Sequence, residues 1–128
     1  VGRGVLQILA IAGGGALGAL GRFGLSSGLY RLLGRDFPWG TLAVNVLGSF
    51  LMGLLFVLFL DRLAGPPELR SALLVGFLGA FTTFSTFSME TLLLVEQGFM
   101  VKALLNILAS VLLCLLACWL GVLLGRSL

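Results

Sequence analysis

Apolar residues run along this chain in four blocks. A helix needs about 20 mostly apolar residues to cross a bilayer core, and the blocks at about residues 5–33, 38–60, 70–95 and 102–125 each supply that length. Polar and helix-breaking residues separate them. Gly34-Arg35-Asp36-Phe37-Pro38 divides the first from the second, and Pro38 suits the first turn of a helix. Asp61-Arg62-Leu63-Ala64-Gly65-Pro66-Pro67 divides the second from the third, and Glu96-Gln97-Gly98 the third from the fourth. The connections are too short for a soluble domain, and an even number of spans puts both termini on one side. The expected fold is all-α, a single integral membrane domain of four transmembrane helices.

The third block breaks the apolar pattern. Its stretch Gly76-Phe77-Leu78-Gly79-Ala80-Phe81-Thr82-Thr83-Phe84-Ser85-Thr86-Phe87-Ser88-Met89-Glu90-Thr91 carries six hydroxyls, one carboxylate, two glycines and four phenylalanines. Polar groups are costly in hydrocarbon and turn toward a protein interior or a water-filled path. A conduction path is therefore the first functional expectation. At about 100° per residue, Thr83, Thr86, Phe87 and Glu90 share one side of a helix, and Phe84, Ser88 and Thr91 a neighbouring one. The competing reading is that each Ser or Thr bonds back to its own helix. Gly79-Ala80-Phe81-Thr82-Thr83 has two readings of its own. It is either a helix break that frees backbone carbonyls or a continuous helix with a glycine packing notch.

Composition narrows the class. Hydrophobic residues make up 59% of the 128 and charged residues 10%, against about 25% charged in soluble domains, and mean hydropathy is +1.18. The net charge of +3 comes from scattered basic residues, so no nucleic-acid partner is expected. The chain has no His, which removes the commonest metal ligand. Cys114 and Cys118 read as reduced packing residues, not as a disulfide or zinc site. The first block runs into Arg22 without a cleavage pattern, so it is expected to stay as a span.

Charge placement bears on orientation. Arg3, Arg62, Arg70 and Arg126 fall on the terminal side, and Arg31, Arg35 and Lys102 on the other, with Arg22 between. That is almost no bias for the positive-inside rule. Either a further segment or a partner fixes the orientation, or the chain inserts both ways, which would allow an antiparallel two-fold homodimer. Small residues recur at helix-packing spacing: Gly14 and Gly18, Ser49 and Gly53, and the run Ser110, Cys114, Ala117, Gly121 and Gly125. Tight packing is the expectation for nearly all of these.

The remaining candidates are polar residues within spans. Asn45 is either interhelical glue or a donor to an anion, and Asn106 and Ser110 pose the same question. Arg22 either snorkels to the interface or floors a vestibule. Hydroxyls and amides donate hydrogen bonds, and aromatic ring edges carry partial positive charge. The solute they suit is a small hard anion or a polar molecule, and the residues alone name no particular one.

Three sequence blocks together resemble the Fluc (CrcB) fluoride channel family. They are Gly14-Gly15-Ala16-Leu17-Gly18-Ala19-Leu20-Gly21-Arg22-Phe23, Pro38-Trp39-Gly40-Thr41-Leu42-Ala43-Val44-Asn45 through Gly48-Ser49-Phe50, and the stretch from Gly76 to Phe87. Asn106, Ser110 and Trp119-Leu120-Gly121 match more loosely. The resemblance implies a passive fluoride-selective channel, not an enzyme, in the cytoplasmic membrane of microbes. It implies an antiparallel dual-topology homodimer with two pores, and a third helix broken near its midpoint. By matching position, Phe84 and Phe87 would be the pore phenylalanines and Asn45 the pore amide. Thr83, Ser85, Thr86, Ser88 and Glu90 would line a polar track, Ser110 would add a fourth-helix hydroxyl, and Arg22 would stand near the vestibule. Backbone carbonyls of Gly79 and Thr82 would hold a structural sodium ion at the dimer centre. Ala80 stands where a second glycine is frequent, and Cys114 where a small or hydroxyl residue is expected. Two rival readings are a proton-coupled small multidrug-type exporter, with Glu90 as its carboxylate, and a membrane assembly subunit without transport.

Overall fold

Proline and glycine set where the helices begin and end. The computed structural model describes residues 2–61 and 65–128; Arg62, counted above among the basic residues, lies outside them. Helix α1 spans Gly2–Leu33 and α2 spans Trp39–Asp61. The third span, Pro67–Glu96, divides into α3 (residues 67–81) and α4 (Phe84–Glu96), and α5 spans Met100–Ser127. All four spans have the length and hydropathy to cross a membrane, and the described residues contain no strand. The chain is a multi-pass membrane protein.

Gly34 ends α1 at φ 82°, its N–H donating to Tyr30 O at 2.9 Å. Gly98 ends the third span at φ 86°, and Phe99 N–H donates to Leu94 O at 2.8 Å beyond it. Glycine takes this left-handed conformation without steric cost, which makes it the usual helix stop. The third span starts at Pro67, a few residues before the apolar block, with Pro66 as its cap residue. Proline fits there because the first helical N–H has no intrahelical acceptor. Within α3, Ser71–Leu78 is wound as a π-helix, a widened form uncommon outside functional or strained segments.

Glycines bring backbones together in two pairs of helices. A Cβ at Gly14 or Gly18 of α1 would overlap the carbonyls of Ala72 and Phe77 in α3. A Cβ at Gly53 of α2 would overlap Cys118 O, and one at Gly121 of α5 would overlap Phe50 O. These are the small-residue seams of membrane bundles, where close approach replaces the hydrophobic effect. Leu42, Val44, Leu78, Phe81 and Phe87 are buried between the helices. Many other large apolar side chains, including Leu17, Leu20, Leu112 and Leu115, face outward, as hydrocarbon allows.

Candidate functional site

The site is organised by the break in the third span. Thr82 (φ −91°, ψ 157°) and Thr83 (φ −151°, ψ 119°) are extended, so the continuous-helix reading of Gly79–Thr83 does not hold. Asn45 of α2 braces the break. Its Oδ1 accepts from Thr83 N–H at 2.7 Å, and its Nδ2 donates to Thr83 O at 3.0 Å. An amide side chain has the same donor and acceptor as a peptide group, so it replaces the helical partners that Thr83 lost. Thr83 also caps α4, its Oγ1 accepting from Thr86 N–H at 3.1 Å. Thr82 Oγ1 bonds back to Leu78 O at 3.0 Å. On the other side of the break, Arg22 Nε donates to Ala80 O at 3.2 Å. That puts a cation beside the carbonyl end of α3, the favourable end for positive charge.

The same rearrangement redirects two N–H groups. In an unbroken helix Thr83 N–H would serve Gly79 O and Thr86 N–H would serve Thr82 O. Here the first serves Asn45 and the second serves the Thr83 hydroxyl. No cluster of three His, Cys, Asp or Glu exists among the described residues. The carbonyls of Gly79 and Thr82 have the chemistry for a hard monovalent cation.

Three cavities follow one another along the chain's polar side. An outer cavity of about 210 Å³ opens where α1, α2 and α4 reach the surface, lined by Tyr30, Arg35, Pro38, Glu90 and Gln97. An inner polar cavity of about 190 Å³ is lined by Arg22, Ser26, Tyr30, Thr41, Thr83, Thr86 and Glu90. A third, of about 440 Å³, is mostly apolar and lies against Asn45, Ser49, Met52, Thr83, Phe84, Phe87, Ser110, Cys114 and Cys118. Tyr30, Arg35 and Glu90 line both the outer and inner cavities, and Thr83 lines both the inner and the apolar one. The run starts at the surface bearing Gln97 and passes the break at mid-span. It continues toward the terminal side along Asn45, Ser49 and Met52 of α2 and Ser110, Cys114 and Cys118 of α5.

The candidate residues take distinct places on this run. Phe84 and Phe87 lie ring to ring, centroids 5.3 Å apart and tilted by 44°. Phe87 is 9% exposed and Phe84 77% exposed, so Phe84 projects from the chain's own surface beside the apolar cavity. Thr83, Thr86 and Glu90 meet in the inner cavity, whereas Phe87, expected on the same helix side, lines the apolar one, and Thr83 is the extended cap before the helix. Ser85 pairs its hydroxyl with Thr83 Oγ1 at 3.1 Å, and Ser88 donates back to Phe84 O at 2.9 Å. Neither Ser85 nor Ser88 lines these three cavities. Ser110 lines the apolar cavity and donates to Asn106 Oδ1 at 3.4 Å. Asn106 is fully buried and donates to Thr91 Oγ1 at 2.8 Å, which makes it glue between α5 and α4. Arg22 stands in the inner cavity and does not snorkel away from it.

Sequence reasoning passed over Tyr30 and Thr41. Tyr30 donates to Glu90 Oε2 at 2.7 Å and pairs with Thr41 Oγ1 at 3.2 Å. A tyrosine near a helix end reads as an interfacial anchor. The one signal against that was its position 60 residues from the lone carboxylate well inside a span, which no local pattern reveals.

The match to the family described as "CrcB-like protein, Camphor Resistance (CrcB)" covers residues 9–122. A protein of Methylococcus capsulatus named "Fluoride-specific ion channel FluC" is 62% identical over 123 residues, covering 96% of this chain and 54% of that protein. The chain thus spans about half the length of that relative. A protein of the same name from Magnetococcus marinus is 60% identical over 121 residues, with 94% of this chain and 98% of the relative covered. Another from Hydrogenovibrio crunogenus is 55% identical over 123 residues, with 96% and 93% covered. On the extent of these matches, the chain belongs to the CrcB family.

Proposed function

We propose that this chain forms a passive, fluoride-selective channel that lets fluoride leave the cell across the cytoplasmic membrane. The observation that carries the reading is the run of three cavities, joined through Tyr30, Glu90 and Thr83, across a multi-pass membrane chain. The names of the relatives supply the ion: all three are called fluoride-specific ion channels.

The walls suit a small anion. Arg22 and Arg35 outnumber the Glu90 carboxyl in the inner cavity, and Thr86 supplies a hydroxyl there, while Ser26 donates to Arg22 O and Thr41 pairs with Tyr30. Past the break, hydroxyls give way to phenylalanine. The ring edges of Phe84 and Phe87 carry partial positive charge and replace water without presenting a full charge that would trap the ion. Asn45 gives one amide N–H to Thr83 O; an amide has two, and the second belongs to the wall of the apolar cavity that Asn45 lines. Ser110 adds a hydroxyl further along.

The working unit is an antiparallel homodimer with two pores. The apolar cavity is open on one side, and the exposed Phe84 ring is a face for a second copy to cover. The near-even basic count supports insertion in both orientations. The Gly79 and Thr82 carbonyls, relieved of their helical donors, are the groups that would hold a structural sodium ion between the two chains. Bound there, sodium would supply fixed positive charge near both anion routes.

The test is efflux from liposomes that contain only this protein. Fluoride should leave without a proton gradient or ATP, and chloride should largely stay. Equal efflux of the two ions would remove the selectivity. Strict dependence on a pH gradient would favour the proton-coupled exporter, and no flux at all the assembly subunit.

A further inference from the structure

Tyr30 stands at the neck between two cavities. The outer cavity, with Pro38 and Gln97 at its rim, and the inner one, with Arg22 and Thr86, share Tyr30, Arg35 and Glu90. Tyr30 Oη donates its single hydrogen to Glu90 Oε2 at 2.7 Å. With that hydrogen committed, Thr41 is the donor in the 3.2 Å contact between its hydroxyl and Tyr30 Oη. Thr41 N–H also points at the same oxygen, at 3.4 Å. The Arg35 guanidinium lies over the Tyr30 ring, 4.6 Å from its centroid. The phenol is thus held on its face by Arg35 and on its oxygen by Thr41.

Glu90 is less fully served. Its Oε1 is buried and has no partner among the described residues. Tyr30 is therefore the one donor to this carboxyl among the described residues. An anion coming from the mouth meets a carboxyl group and a phenol oxygen whose hydrogen is turned away from it. We propose that the Tyr30–Glu90 hydrogen bond is a gate at the neck, and that its opening sets the rate of anion entry. The part concerning anion entry rests on the fluoride reading above; the part concerning the neck does not.

Two measurements separate these parts. In the first, Thr86→Cys places a thiol in the inner cavity, and a small membrane-impermeant cationic methanethiosulfonate is added outside liposomes holding the full chain. Glu90 is present in both proteins compared, so its attraction for the reagent cancels. Labelling of Cys114 and Cys118 is followed separately by mass spectrometry of their peptides. Adding Tyr30→Phe keeps the ring under Arg35 and removes the hydroxyl. The labelling rate of the introduced thiol should rise about tenfold, the equivalent of about 1.4 kcal/mol for a hydrogen bond to a charged group. An unchanged rate overturns the gate.

In the second, fluoride efflux is compared between Glu90→Gln and the Tyr30→Phe/Glu90→Gln pair. The glutamine keeps an acceptor for Tyr30 but carries no charge, so the comparison isolates the hydrogen bond. Efflux should rise about fivefold in the pair, the equivalent of about 1 kcal/mol for a neutral bond. Faster labelling without faster efflux overturns the claim that the gate sets anion entry. If the unaltered protein passes no fluoride, the fluoride reading fails, while the labelling result still decides the neck.

Discussion

Replacing Asn45 tests both the fold and the path at one residue. In Asn45→Ala, Thr83 N–H loses its 2.7 Å acceptor and Thr83 O its 3.0 Å donor. A buried peptide group left unpaired costs about 1–3 kcal/mol per donor or acceptor. Measured side-chain bonds between membrane helices run lower, averaging about 0.6 kcal/mol, because the unfolded segment finds other partners in the membrane. Two bonds then place the loss at about 1–3 kcal/mol. Asn45→Asp differs in kind. It keeps an acceptor for Thr83 N–H but sets an oxygen against Thr83 O, and it places a charge on the wall of the apolar cavity. At about 4 Å and an effective dielectric of about 20, that charge raises the energy of a passing anion by about 4 kcal/mol, close to a thousandfold in rate. Fluoride efflux from liposomes and unfolding in detergent would be read side by side. Alanine should lower stability and reduce flux; aspartate should abolish flux. Aspartate flux within tenfold of the unaltered protein would show that the ion does not pass Asn45. An unfolding midpoint unchanged in the alanine variant would show that the brace carries no stability.

Phe84→Ile and Phe87→Ile keep much of the bulk and lose the ring quadrupole; each should cut fluoride efflux at least tenfold without dispersing the dimer, and near-normal flux in both would remove the rings from the path. Gly53→Val puts a side chain where Cys118 O already sits; it should separate α2 from α5 at a cost of about 1–3 kcal/mol, read as a lower unfolding midpoint, and an unchanged midpoint would contradict the seam. Reporters fused to the C-terminus should appear on both sides of the membrane in comparable amounts, and a one-sided distribution would defeat dual topology.

The sequence makes the spans legible because hydrocarbon imposes one simple demand, a long run of apolar residues whose backbone bonds itself. Helix ends followed Gly34 and Gly98, whose left-handed backbone is a local property. The break at Thr82–Thr83 could not be decided locally. Gly-Ala-Phe-Thr-Thr fits either state, and the deciding group, Asn45, lies 38 residues away on another helix. Helical projection brought Thr86 and Glu90 together with Thr83 but also grouped Phe87 with them, which lines the apolar cavity instead, and it could not tell that Ser88 would bond its own backbone. Tyr30 escaped notice for the same reason as the break, since its partners Thr41 and Glu90 meet it only through tertiary packing. The π-helical winding of Ser71–Leu78 leaves no mark in residue type.

The brace at the break has a consequence for biogenesis. Asn45 and Thr83 belong to one chain, and so do Arg22 and Ala80. Part of the backbone opened by the break is therefore paired within the chain itself. The Thr83 peptide group and the Ala80 carbonyl are thus paired within the chain as it enters the lipid, and the Gly79 and Thr82 carbonyls are the backbone groups left for a further ligand. In the proposed dimer that pairing would already be made, so the free energy of assembly would go into closing apolar surface and not into repairing the Thr83 peptide group.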